Sequence, residues 1–78
     1  MRRRMPTLII TFPTTAAAME AEHFLEGQGL PGRIIPVPVE ITAGCGLAWK
    51  APPEAEEQLS EAMEAEGLVW SAMRVMEV

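Results

Sequence analysis

The sequence has few of the residues that most often mark a catalytic or metal-binding centre. Its 78 residues contain one cysteine, one histidine and no tyrosine. A single cysteine excludes an internal disulfide. One cysteine and one histidine do not give the grouping of ligands that is typical of a structural zinc site. A chain of this length buries only about 60% of the surface that its unfolded form exposes. We therefore expect no cofactor or metal. Because a disulfide and a structural metal are both excluded, oligomerisation is the remaining common way to stabilise so small a domain.

Basic residues and long apolar runs are also scarce. Six Lys and Arg stand against eleven Asp and Glu, which gives a net charge of −5 and a pI near 4.7. Phosphate binding needs a basic face, so the composition argues against a nucleic-acid partner. No run approaches the ~18 apolar residues of a membrane span. We predict no membrane partner, and a reducing, cytoplasmic setting fits a lone thiol best.

The beginning of the chain imitates a secretory signal, because three arginines precede apolar residues. We expect no such signal, since the apolar run from Leu8 to Phe12 is short and Pro13 interrupts it. Residues 1–6 are predicted to be disordered or frayed. Residues 7–78 are predicted to form one domain.

Periodicity predicts the order strand, helix, strand, strand, helix, strand. The predicted strands are Thr7–Phe12, Arg33–Val37, Leu47–Ala51 and Leu68–Val78. Pro36 and Pro38 cannot donate ladder hydrogen bonds, which places the second strand at a sheet edge. Short right-handed crossovers favour an α+β fold of the ferredoxin-like βαββαβ type, with a four-stranded antiparallel sheet and two helices on one face.

Turn and capping residues delimit the two predicted helices. Thr14 or Thr15 caps the first helix, and Gly27 and Gly29 end it. A proline pair begins the second helix, and Gly67 ends it. The predicted inward positions are Ala17, Ala18, Ala21, Phe24, Leu25 and Gln28 in the first helix, and Ala55, Leu59, Ala62, Met63 and Glu66 in the second. We expect Met19, Met63 and Met73 to fill the core and His23 to lie on the surface.

The last predicted strand completes the sheet and its two faces. In this strand Val69, Met73 and Val75 are expected to face the helices. The open sheet face would then carry Ile9, Ile34, Trp70 and Met76. An apolar patch of that kind usually marks a partner surface, so we predict a homodimer or a docking face there.

The only cysteine stands between two glycines, in Gly44-Cys45-Gly46. A thiol framed in this way is sterically open, and backbone N–H groups can approach whatever is bonded to the sulfur. The predicted topology brings Cys45 to the end of the sheet that holds Thr14 and Thr15, where a helix N-terminus favours the reactive thiolate. The alternative is a structural cysteine, since this residue type is often buried as a small hydrophobe.

Three runs of the sequence resemble a known family. They are Thr11-Phe12-Pro13-Thr14-Thr15, Arg33-Ile34-Ile35-Pro36-Val37-Pro38 and Ile41-Thr42-Ala43-Gly44-Cys45-Gly46-Leu47-Ala48. The chain from Thr7 to Val78 resembles small bacterial proteins described as putative selenium/sulfur carrier protein-like. The resemblance implies that Cys45 holds sulfur or selenium as a persulfide or selenopersulfide. Pro36, Pro38, Gly44 and Gly46 would be the associated motif positions, and the partners would be donor and acceptor proteins.

Two functions of different classes follow. The first is a chalcogen carrier, more a stoichiometric carrier than an enzyme, with Cys45 as nucleophile. The amides of Gly44, Cys45 and Gly46 and the N-terminus of the first helix, at Thr14 and Thr15, would stabilise the carried atom, and the resemblance adds Pro36 and Pro38 as binding positions. The second is a ferredoxin-like interaction or regulatory module that dimerises through its sheet, with Cys45 merely packed. Metal delivery by two copies of Cys45 ranks third.

Overall fold

The computed structural model describes residues 5–37 and 45–77 of the chain. The strands are β1 (Pro6–Thr11), β2 (Arg33–Pro36), β3 (Leu47–Ala51) and β4 (Ala72–Glu77). The helices are α1 (Thr15–Gly27) and α2 (Glu56–Glu66), and a 3₁₀ turn at Pro53–Ala55 leads into α2. The predicted alternation of strands and helices is confirmed. β1 begins at Pro6, one residue earlier than predicted.

The four strands form one sheet in the order β2-β3-β1-β4. Each neighbouring pair is antiparallel, with Ile10 opposite both Trp49 of β3 and Met73 of β4. This order, with two helices as crossovers, is consistent with the predicted ferredoxin-like α+β fold. β1 lies in the interior of the sheet, and β2 lies at an edge, as Pro36 predicts.

Local chemistry sets the ends of both helices. The Thr14 hydroxyl accepts a hydrogen bond from the Ala17 N–H at 3.1 Å, so Thr14 is the N-cap of α1 and Thr15 is its first residue. At the end of α2, Gly67 adopts a φ of 77°. Residues with a side chain avoid this left-handed conformation, which explains the glycine.

The core lies between the helices and one face of the sheet, which we call the helix face. It contains Leu8, Ile10, Phe12, Ala18, Ala21, Leu25, Trp49, Ala51, Ala55, Leu59 and Met63. Most of the predicted inward positions are therefore confirmed. Gln28 and Glu66 are exposed instead, because the last turn of each helix reaches solvent, where polar groups remain hydrated.

Trp49 is fully buried, and its indole N–H donates to the Pro31 carbonyl at 3.1 Å. The backbone of Gly32 passes directly against this ring. A Cβ at Gly32, whose φ is 121°, would overlap the indole and the Lys50 carbonyl. The core therefore needs a glycine at this position to accommodate its largest side chain.

The predicted apolar patch on the open sheet face is wrong for two of its four members, Ile34 and Trp70. Ile34 lies opposite Trp49 on the helix face, and Trp70 packs against the core. Ile9 does lie on the opposite face, which we call the second face, but it has no exposed surface. Met76, in register with Thr7 of β1, is half-buried on that face.

The errors have simple causes. β4 begins only at Ala72, so Trp70 lies in the preceding connection, where strand alternation does not apply. In β2, Ile34 and Ile35 are both apolar, so alternation alone leaves their faces undetermined. Met19 and Val69, predicted to face inward, are 52% and 57% exposed. Neither described helix is long and apolar enough to cross a membrane.

Candidate functional site

Cys45 lies two residues before β3, at the end of the sheet where α1 begins. The register pairs Leu47 with Pro36 and Ala48 with Thr11. The start of β3 is therefore beside the last residue of β2 and the last residue of β1. α1 follows β1 after a short turn capped by Thr14. The topology brings these four chain segments to one end of the sheet, as the sequence predicts.

The thiol of Cys45 is free and half-buried. Its side chain packs against the core, as do those of other partly buried residues. Cys45 as a residue is thus neither fully buried nor fully exposed. Its partial exposure is compatible with a reactant of small size, and its packing holds the side chain in place.

A tight reversal at Gly46 brings backbone groups to the sulfur. The Leu47 N–H donates to Cys45 Sγ at 3.4 Å, and Sγ donates to the Leu47 carbonyl at 3.6 Å. Gly46 has a φ of 79°, and no atom lies near the position of a Cβ there. A neutral thiol can use both hydrogen bonds. A sulfur anion can use only the N–H, which stabilises its charge.

The reversal is also tied to β2. The Val37 N–H donates to the Gly46 carbonyl at 3.0 Å. This bond continues the pairing of Pro36 with Leu47 by one step and holds the Cys45–Gly46 turn against the edge strand. The structure therefore brings Cys45, Gly46 and Pro36 together.

For the other predicted site residues, the structure gives no hydrogen bond to the Cys45–Gly46 turn within the parts of the chain that it describes. Thr14 and Thr15 lie at the same end of the sheet, and the Thr14 hydroxyl is used as the helix cap. Gly44 and Pro38 lie outside the described residues. His23 is exposed on α1, as predicted. Within residues 5–37 and 45–77, no three His, Cys, Asp or Glu side chains are grouped to hold a metal ion.

The residue types give no indication of two backbone amides at this site, one donating to Cys45 Sγ and the other to the Gly46 carbonyl. The Leu47 and Val37 N–H groups belong to apolar residues whose side chains indicate nothing about sulfur. A signal was nevertheless present, because a glycine directly after a cysteine permits the left-handed turn that folds the next amide back.

Fold and site together define a small ferredoxin-like α+β domain with one thiol held in a Cys-Gly turn. A family model described as "Putative Se/S carrier protein-like" matches residues 7–74. The chain belongs to this family. Membership implies donor and acceptor partners in general. No curated protein and no solved structure gives a significant match.

Proposed function

We propose that this protein carries sulfur or selenium on Cys45, as a persulfide or selenopersulfide, and passes it to an acceptor protein. The observation that carries the proposal is the half-buried residue Cys45, to whose sulfur the Leu47 N–H donates. The family to which the chain belongs supports the same interpretation.

The proposed loading step is an exchange between sulfur atoms. The Cys45 thiolate attacks the outer sulfur of a donor persulfide, forming a new S–S bond while the donor's own S–S bond breaks. The donor leaves as a thiolate, and the outer sulfur becomes the anionic end of the Cys45 persulfide. Delivery repeats the exchange with an acceptor thiolate. No external oxidant or reductant is required, because the transferred sulfur keeps its oxidation state.

Residues around Cys45 have distinct proposed roles. Gly46 and Gly44 leave space for the donor and acceptor sulfurs to approach. The Leu47 N–H stabilises negative charge on Cys45 Sγ, both before attack and when the carried atom leaves. Pro36 ends the edge strand beside the turn, and Pro38 is proposed as a further motif position on the strength of the sequence alone. Thr14 and Thr15 begin the helix whose N-terminus favours an anion at this end of the sheet.

The test is loading followed by transfer. The protein is incubated with a cysteine desulfurase and cysteine, and its intact mass is measured. We expect a gain of one sulfur atom that a thiol acceptor protein then removes, and no gain in Cys45→Ser. Parallel loading from the same desulfurase supplied with selenocysteine, which provides selenium at the oxidation level of a selenopersulfide, would show which chalcogen is preferred.

A matched control separates this site from any exposed thiol. In Cys45→Ser combined with Ser71→Cys, a single cysteine is moved to the exposed Ser71. The proposal expects this relocated thiol to load much more slowly than Cys45. Equal loading of both proteins would contradict a specialised site.

The packing of Cys45 against the core favours one alternative, an interaction module with a structural cysteine. Such a module would leave Cys45 inert to alkylation until the protein unfolds, and its mass would not change on incubation with the desulfurase. Sedimentation of the unmodified chain would show whether a homodimer forms. Stoichiometric, thiol-dependent metal uptake by a dimer would indicate metal delivery instead.

A further inference from the structure

The charges of the described residues are divided between the two sides of the sheet. Among residues 5–37 and 45–77, the only Lys and Arg are Arg33, Lys50 and Arg74. Strand register places them in one row across the second face, in the order Arg33, Lys50, Ile9, Arg74. We call this set the basic row. The carboxylates of the same parts of the chain belong to the helices, the 3₁₀ turn and Glu77 at the end of β4.

This arrangement is unfavourable for the isolated chain. Arg33 and Lys50 are directly opposite each other on neighbouring strands, and like charges in that position destabilise a sheet. None of the side-chain hydrogen bonds formed within the described residues involves a member of the basic row. Concentrating a minority charge on one face is the pattern expected of a surface that meets an opposite charge.

From this placement we infer that the side chains of the basic row, rather than the buried Ile9 between them, form a docking surface for an acidic patch of a partner protein. Arg33 and Arg74 are exposed and Lys50 is half-buried, so all three reach solvent. The row spans three strand spacings, roughly 14 Å, which is wider than a single small anion and suits an extended acidic segment. A concave surface at one end of the row is lined by Arg33 and Lys50, and also by the carboxylate-bearing Glu54.

Aromatic residues argue against a nucleic acid as the occupant. Single-stranded nucleic acids bind sheets through aromatic side chains on which bases stack. Here Phe12 and Trp49 lie in the core, and Phe24 and Trp70 pack against it. These are the four aromatic residues of the sequence. The second face therefore offers positive charge with no aromatic stacking platform.

A second copy of the chain is also a poorer occupant. Two-fold pairing of this face with itself would bring one basic row against another, at an electrostatic cost. An acidic partner instead neutralises Arg33, Lys50 and Arg74 together. The inference does not rest on chalcogen chemistry, because the basic row contains no atom of the Cys45 turn.

The experiment measures binding of a fluorescent polyglutamate peptide of about ten residues, which is long enough to cross the row. We expect Arg33→Gln/Arg74→Gln to weaken binding about ten-fold at low salt, and added salt to abolish binding to the wild-type protein. The matched control, Gln58→Glu/Ala65→Glu, lowers the net charge by the same amount at exposed positions of α2. It should change binding less than about two-fold. Circular dichroism confirms that each variant folds.

Several results would overturn the inference. They are no binding of the peptide by the wild-type protein, an equal loss of peptide affinity in the control variant, or tighter binding of an oligothymidylate of equal length. Salt-sensitive self-association that Arg33→Gln/Arg74→Gln removes would identify a second copy as the occupant. Cys45→Ser should bind the peptide as the wild-type protein does. A failure of the carrier proposal therefore leaves this inference intact, and a failure of this inference leaves the carrier proposal intact.

Discussion

The Leu47 amide donates to Cys45 Sγ at 3.4 Å because Gly46, between them, turns the chain at a φ of 79°. The sulfur and its hydrogen-bond donor are thus only two residues apart. The geometry of this pair depends on one backbone conformation that residues with a side chain adopt at a cost of about 1–2 kcal/mol.

Gly46→Ala should therefore slow the reaction of Cys45 with iodoacetamide near neutral pH. The strained turn opens, the Leu47 N–H moves away from Sγ, and the thiolate loses a charge-assisted hydrogen bond. A bond of that type contributes about 1.5–3 kcal/mol, so we expect a decrease of about ten-fold or more in rate. The two proteins should react equally fast in denaturing urea.

Gly27→Ala is the matched control for this prediction. Gly27 ends α1 without a positive φ, and no atom lies near its Cβ position. We expect an unchanged alkylation rate and a gain in stability of up to about 1 kcal/mol. A Gly46→Ala protein that reacts as fast as Gly27→Ala would mean that the turn does not activate Cys45.

Gly32→Ala should be among the most destabilising single substitutions. The added methyl would overlap the Trp49 indole and the Lys50 carbonyl, at a backbone φ of 121° that disfavours alanine. Overpacking and strain together should cost about 3 kcal/mol. Urea unfolding followed by tryptophan fluorescence measures the loss. A cost below about 1 kcal/mol would show that Trp49 moves aside easily.

Thr14→Ala should lower the free energy of unfolding by about 1 kcal/mol, because the Ala17 N–H loses its acceptor. Thr14→Ser keeps the hydroxyl and should retain most of the stability. Thr15→Ala, one residue further on, removes no cap and should be nearly neutral. Chemical unfolding of the three variants tests the assignment, which would be wrong if Thr15→Ala cost more than Thr14→Ala.

Two methionines should respond very differently to truncation. Met63 is fully buried in the core, so Met63→Ala should cost about 2–5 kcal/mol. Met19 is 52% exposed, and Met19→Ala should change the unfolding free energy by less than about 0.5 kcal/mol. Thermal unfolding of both variants compares them directly. A large cost for Met19→Ala would contradict the orientation of α1, and a small cost for Met63→Ala would contradict that of α2.

Much of the fold could be predicted because its signals are local. The Thr14 cap, Gly67 at the end of α2 and Pro36 in an edge strand each follow from the chemistry of one residue. The alternation along β1 correctly placed the side chains of Leu8, Ile10 and Phe12 together on one face, which is the helix face. These features need no knowledge of distant contacts.

The faces of Ile34 and Trp70 could not be predicted in the same way. Ile34 has an apolar neighbour, so its face depends on pairing with Trp49 rather than on alternation. Trp70 lies in the connection before β4, where the backbone N–H of Ser71 donates to the Thr11 carbonyl at 2.7 Å. The site was predictable as far as Cys45 and Gly46. The amides of Leu47 and Val37 became evident only when the turn geometry was known.

Among residues 5–37 and 45–77, the separation of the basic row from the glutamates of the helices contributes an electric dipole moment directed across the sheet. In the field of a negatively charged target, a net-acidic molecule of this kind experiences a torque as well as repulsion. It would rotate before contact, so that the sheet side of the molecule faces the target and the helices point away from it. Collisions would then be oriented ones, although the protein and its target carry charge of the same sign.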